Sequence, residues 1–142
     1  MKPCQQQIAI ALACGATWQS VPPYENNPTW TQEENDYSRR LHPKRILSFR
    51  SLVTDPYAPG MPAPLPFPDA NGDAVSGIPD YLNSLDAMHD AEKVLSSLQS
   101  DDYSLRLSRN PNGSYRYKHA MFASAAQRAE HFLKTMGLWK ED

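Results

Sequence analysis

The chain has little of what marks the specialised protein classes. Two cysteines among 142 residues, Cys4 and Cys14, are too few for a disulfide-dense secreted scaffold. They fall ten residues apart on one predicted helix, about 15 Å along its axis, beyond the reach of a disulfide within that helix. Six glycines exclude a collagen-like or Gly-rich flexible polymer. Neither sign of charge dominates: 14 basic against 16 acidic residues leave −2, which argues against whole-surface attraction to nucleic acid or anionic membrane. No apolar run approaches a transmembrane span. The run from Ile8 to Cys14 follows Met1-Lys2 as in a lipoprotein signal. However, Gln5, Gln6 and Gln7 interrupt it, and Ala11 stands where a larger aliphatic is normal. The expectation is therefore a cytoplasmic protein with reduced thiols.

What the chain has in excess is proline. Thirteen prolines are about 9% of the residues, nearly twice the usual share. Ten of them lie between Pro22 and Pro68. The 40% apolar content and the length suit one modest core rather than disorder throughout. The chain thus reads as a single α+β domain over 1–142, with a core of 1–19 and 78–142 and a proline-rich insertion over 20–77. Pro59 to Pro68 alternates proline with other residues, which favours polyproline II and a stiff spacer over a ligand for aromatic grooves. Within the insertion, Ile46 to Val53 is one apolar island and a candidate strand.

The flanking segments carry regular patterns. Pro3 suits the first turn of a helix ending near Cys14, with Ile8, Ala11 and Leu12 on one stripe and Gly15 as its stop. Ser84 caps a predicted helix running to about Leu98, with Leu85, Met88, Ala91, Leu95 and Leu98 facing the core. Tyr103, Leu105 and Leu107 alternate with Ser104, Arg106 and Ser108, which predicts a strand. A turn at Asn110 to Gly113 would lead to a return strand through Tyr115 and Tyr117, making an antiparallel hairpin. The last helix is marked by the capping box Ser124-Ala-Ala-Gln127 and by the stripe Ala125, Ala129, Phe132, Leu133 and Met136. Gly137 at C′ and Leu138 beyond it suit a Schellman ending. Trp139 is expected at the core edge.

Two long segments resemble a known family. Pro79-Asp-Tyr-Leu-Asn-Ser-Leu-Asp-Ala-Met-His-Asp-Ala-Glu-Lys-Val-Leu95 and His119-Ala-Met-Phe-Ala-Ser-Ala-Ala-Gln-Arg-Ala-Glu-His-Phe-Leu-Lys-Thr-Met-Gly-Leu-Trp139 are similar to the motifs of small phage proteins with the phage ABA-sandwich domain. The opening Ile8 to Trp18 is similar to that family's start. The resemblance covers 1–19 and 78–139 and implies a layered α+β domain, a phage origin and action in the host cytoplasm. It brings no catalytic residues, and the segment from Ser20 to Gly77 departs from the family in length and content.

Three clusters are candidates for chemistry. Arg39, Arg40, Lys44, Arg45 and Arg50 form one basic group; Arg106, Arg109, Arg116 and Lys118 form another on and beside the predicted hairpin. Together they hold nine of the fourteen basic residues. With Tyr115 and Tyr117 interleaved, they could grip a phosphate and stack a base; the plainer alternative is solvated loops and a solvated hairpin face. Asp69, Asn71, Asp73 and Asp80 approach the spacing of a calcium loop, but Ala74 takes the position that requires Gly, so an Asn-Gly turn is the simpler account. His89 shares a helix face with Asp86, Asp90 and Lys93, near Glu92, an arrangement open to general-base chemistry or to a solvated surface. His119 and His131 read as packing or surface residues.

The resulting expectation is a non-catalytic phage accessory protein that binds a host factor, plausible as counter-defence. Its alternatives are a binder of a small anionic nucleotide signal, a hydrolase centred on His89, and a calcium-stabilised module. No cofactor, no membrane association and no strong nucleic-acid signal are expected, and oligomerisation is left open.

Overall fold

A computed structural model describes residues 1–49, 69–109 and 117–141. It is α+β, with six helices and one three-stranded sheet among the described residues. The chain divides into two compact units, one of residues 1–15 and 79–142 and one of residues 16–78. No described helix is long and apolar enough to cross a membrane.

The first unit is helical. Helix α1 (Pro3–Ala13) begins at its proline, and Gly15 follows at φ +99°, a backbone state that costs glycine little. Its core face is Ile10 and Ala11; Leu12, expected inward, is exposed. Gln7, seen from sequence only as an interruption, acts as a clamp. Its Nε2 donates to Asp80 Oδ1 at 2.8 Å, and its Oε1 accepts from the Tyr81 N–H at 3.0 Å. This holds the start of the chain to the segment that leads into α3.

Helix α3 (Leu85–Glu92) begins at the predicted cap, with Ser84 Oγ accepting from the Ala87 N–H at 3.2 Å. It buries Met88 and Ala91, but it stops at Glu92 rather than near Leu98. Ser96 then opens α4 (Ser97–Ser108) with its own capping box, made with Gln99. Two caps within twelve residues make two helices, and Leu98 is left exposed on the second.

Helix α4 also corrects the hairpin. Tyr103 to Leu107 is helical, not a strand. A run of five alternating residues fits period 2, but i and i+4 also share a helix face. Tyr103 and Leu107 are buried at 5% and 7% exposure while Leu105 between them is 56% exposed, so the helical period decides. The expected turn at Asn110 to Gly113 and the return strand at Tyr115 lie outside the described residues. Tyr117 opens a short helix, α5 (Tyr117–Met121).

Helix α6 (Ala125–Thr135) is as the sequence predicts. Ser124 and Gln127 exchange bonds at 2.9 and 3.2 Å. Ala125, Ala129, Phe132 and Leu133 are buried. Gly137 has φ +71°, and the N–H groups of Gly137 and Leu138 bond the carbonyls of Lys134 and Leu133 at 3.2 and 2.8 Å, a Schellman ending. α6 packs on α1, α3 and α4, and α4 also meets α5.

The second unit holds the sheet. Strands β1 (Thr17–Ser20), β2 (Arg45–Ser48) and β3 (Asp73–Val75) lie in that order, with β1–β2 antiparallel and β2–β3 parallel. Central β2 takes up the start of the apolar island Ile46 to Val53, whose residues 50–53 lie outside the described residues, and it buries Ile46, Leu47 and Ser48. Ile46 and Ala74 pack with Val21. Helix α2 (Gln32–Leu41) lies in the proline-rich insertion, for which no helix was predicted. Thr31 and Glu34 cap it reciprocally at 2.7 and 3.2 Å. Its buried Asn35 organises the loop before it: Oδ1 accepts from Tyr24 Oη at 2.9 Å and from the Asn27 N–H at 2.7 Å, while Nδ2 donates to the carbonyls of Asn27 and Thr31 at 3.1 and 3.0 Å. Polar bonds from one side chain thus order a Pro-rich segment that has few apolar residues of its own.

Candidate functional site

The two basic groups fall in different units and meet different fates. In the second unit, Arg45 lies opposite Asp73 across β2–β3 and donates to both its carboxylate oxygens at 2.6 Å. Its guanidinium also stacks 4.4 Å from the centre of the Trp18 ring. This fork holds the Asp73 carboxyl below the usual carboxylate range and raises Arg45 further. Arg39 bonds Asp36 and Asn26 at 2.9 and 2.7 Å, and Arg40 reaches the Asp36 carbonyl at 3.4 Å. The Lys44 stem covers Gly72, where a Cβ would meet Lys44 Cδ at 2.8 Å. Most of this group therefore serves its own fold. Arg50 lies outside the described residues, as do Tyr115 and Arg116 of the second group.

The acidic loop is likewise committed. Asp69 Oδ1 accepts from the N–H groups of Asn71 and Asp73 at 2.8 and 3.1 Å, and Gly72 has φ +85°, an Asx-type Asn-Gly turn. Asp73 belongs to Arg45. Asp80 accepts from Asn83 and Gln7, bonds that lower its carboxyl. Among the described residues no group of three His, Cys, Asp or Glu side chains could hold a metal ion. His89 is exposed on α3, and its neighbour Asp90 is paired with Lys93 at 2.5 Å.

The first unit does bring cations together. Arg106, Arg109, Lys118, His119, His131 and Lys134 line one cavity of about 640 Å³ between α4, α5 and α6, within the range of small-ligand sites. Arg106 stands in the last turn of α4 and Arg109 is its C-cap, where the negative end of the helix dipole favours cations. On α6, Gln127, His131 and Lys134 fall at i, i+4 and i+7 and face the cavity together. Leu107 and Ala123 supply its apolar floor; Phe122, 80% exposed, stands on its wall just past α5.

Charge here is only partly neutralised. Arg106 Nε bonds Asp102 at 2.6 Å, leaving the rest of its guanidinium free of that carboxylate, and Lys134 bonds Glu130 at 2.5 Å. Lys134 also lies 5.3 Å from the centre of the Trp139 ring. Among the described residues neither Arg109 nor Lys118 has a carboxylate partner. Among the described residues His131 Nδ1 is buried without a hydrogen-bond partner. Burial lowers the His131 pKa; Glu130 opposes that effect, and Lys134 and Arg106 reinforce it. A buried imidazole nitrogen with no partner among the described residues therefore borders a cationic cavity.

A second polar cluster braces these walls. Tyr103 Oη donates to Glu92 Oε1 at 2.5 Å, and Arg128 Nη1 donates to the same oxygen at 3.1 Å. Arg128 Nη2 bonds the Ala120 carbonyl at 3.1 Å. α3, α4 and α6 are tied through one carboxylate, and Arg128 extends the tie to α5. Burial and the adjacent Glu92 hold the Tyr103 phenol protonated well above its ordinary range.

Sequence reasoning found Arg106, Arg109 and Lys118 but not Phe122, His131 or Lys134. The signal available was the Ser96–Gln99 capping box, which starts a helix through 103–107 and removes the hairpin. Comparison with protein-family models, curated proteins and solved structures gives no match.

Proposed function

We propose that this is a non-catalytic binding protein and that the α4–α5–α6 cavity holds a small phosphate-bearing ligand. One observation carries the reading: four cationic side chains and two imidazoles line a single cavity, and two of the cations have no acidic partner among the described residues. Guanidinium groups match phosphate oxygens in forked geometry, and lysine adds a point charge. Of the expectations raised by the sequence, the anionic-ligand binder therefore fits this geometry better than the hydrolase centred on exposed His89 or the calcium module.

The setting rests on resemblance. The motifs at 79–95 and 119–139 support a phage protein of the ABA-sandwich kind that acts in the host cytoplasm. Holding an anionic signal molecule would be one route to counter-defence, and occupying a host protein another.

Calorimetric titration with inorganic phosphate at low salt tests the binding reading. The parent protein is expected to bind phosphate. The double variant Arg109→Glu, Lys118→Glu should lose at least tenfold in affinity, and Arg39→Glu, Arg40→Glu should lose nothing. Absence of binding by the parent, or equal losses in both pairs, would overturn it.

A further inference from the structure

The cavity has a feature that a site for a bare anion does not need. Phe122 is 80% exposed and lines the same cavity as Arg106, Arg109 and Lys118. That exposure leaves a large aromatic face open to a ligand in the cavity.

Its position is fixed from both sides. The Phe122 N–H bonds the Lys118 carbonyl at 3.1 Å, closing the last turn of α5. Arg128 Nη2 grips the Ala120 carbonyl at 3.1 Å, and Ala123, the next residue, is buried ahead of the Ser124 cap. Phe122 is thus an exposed ring on an anchored backbone, beside a cluster of phosphate-seeking groups. Arg106 on α4 and the α6 stripe of Gln127, His131 and Lys134 line the same cavity. The Gln127 amide, on the same cavity, offers hydrogen bonds beyond those that charge supplies.

Resting on the anion-binding reading above, we propose that the ligand is a nucleoside phosphate, its phosphate held by Arg106, Arg109 and Lys118 and its base stacked on Phe122. A ring face accepts any base, and such stacking changes affinity by about 5-fold to 150-fold per base. The cavity of about 640 Å³ leaves room for a base and sugar beside the phosphate.

The test compares inorganic phosphate with 5′-AMP, by calorimetry, on the full chain and on Phe122→Ala, Phe122→Leu and Phe122→Trp. Because the ring is exposed, these substitutions leave the core intact, and unchanged melting curves check this. The parent is expected to bind 5′-AMP at least tenfold tighter than phosphate. Phe122→Ala and Phe122→Leu should bring 5′-AMP down to the phosphate level without altering phosphate binding, and Phe122→Trp should keep the preference. Phosphate bound as tightly as 5′-AMP would overturn the nucleotide assignment while leaving the anion site. A preference that survives Phe122→Ala would overturn the stacking role. Failure of both ligands to bind would overturn the anion-binding reading and this inference with it.

Discussion

Single side chains organise this protein wherever apolar residues are scarce. Asn35 gathers the loop before α2, Gln7 fastens α1 to Tyr81, and Glu92 takes donors from two helices on one oxygen. Glu92 and Arg128 are only 20% and 15% exposed, so losing one partner strands a largely desolvated charge. Arg128→Met is therefore expected to cost about 2–3 kcal/mol, and Tyr103→Phe about 1 kcal/mol. Replacing Glu92 by Leu together with Arg128→Met should cost less than the two single changes summed, because no charge is then left alone. Urea denaturation of the four variants measures this; full additivity would mean that Glu92 and Arg128 do not act as a unit.

Helix boundaries decide the architecture at the scale of elements. α4 and α6 begin with Ser–Gln capping boxes, and α6 ends on a Schellman turn at Gly137. These ends lay open in the sequence because each is a local exchange of hydrogen bonds among neighbours in the chain. Ser124→Ala should destabilise the first unit by about 1 kcal/mol, and Ser124→Asp should restore most of the loss, since Asp also accepts from the third helical N–H. Equilibrium denaturation followed by circular dichroism checks both; an unchanged midpoint for Ser124→Ala would show that tertiary packing alone holds this end.

At the scale of the whole molecule, the two ends of the chain meet in one unit and the residues between them build another. The segment expected to be an addition to the domain has a sheet, a capped helix and a small core. The basic cavity lies wholly within the first unit. Replacing 16–78 by a short Gly/Ser linker should therefore leave a cooperatively melting protein that still binds inorganic phosphate. Loss of cooperative melting would show that the first unit depends on the second.

Much of the helical unit was legible from sequence. Pro3, Ser84, the Ser124–Gln127 pair, Gly137 and the α6 stripe each state their role in spacings of three or four residues, and the Asn-Gly turn after Asp69 does so within five. The short segments were ambiguous, because five residues from Tyr103 to Leu107 satisfy two periods at once; the Ser96–Gln99 capping box upstream favours the helix, and burial against α6 decides it. The candidate site was half legible. Arg106, Arg109 and Lys118 stood out as charge, but nothing along the chain joins them to His131 and Lys134 of α6. That junction depends on helices packing across gaps of thirteen residues or more, and the pairing of Arg45 with Asp73 and Trp18 depends on strands meeting across gaps of twenty-seven or more. Local hydrogen bonding was written into the sequence by itself; which charges are consumed and which remain to face a ligand was decided only by the tertiary structure, because pairing and burial depend on neighbours distant in the chain.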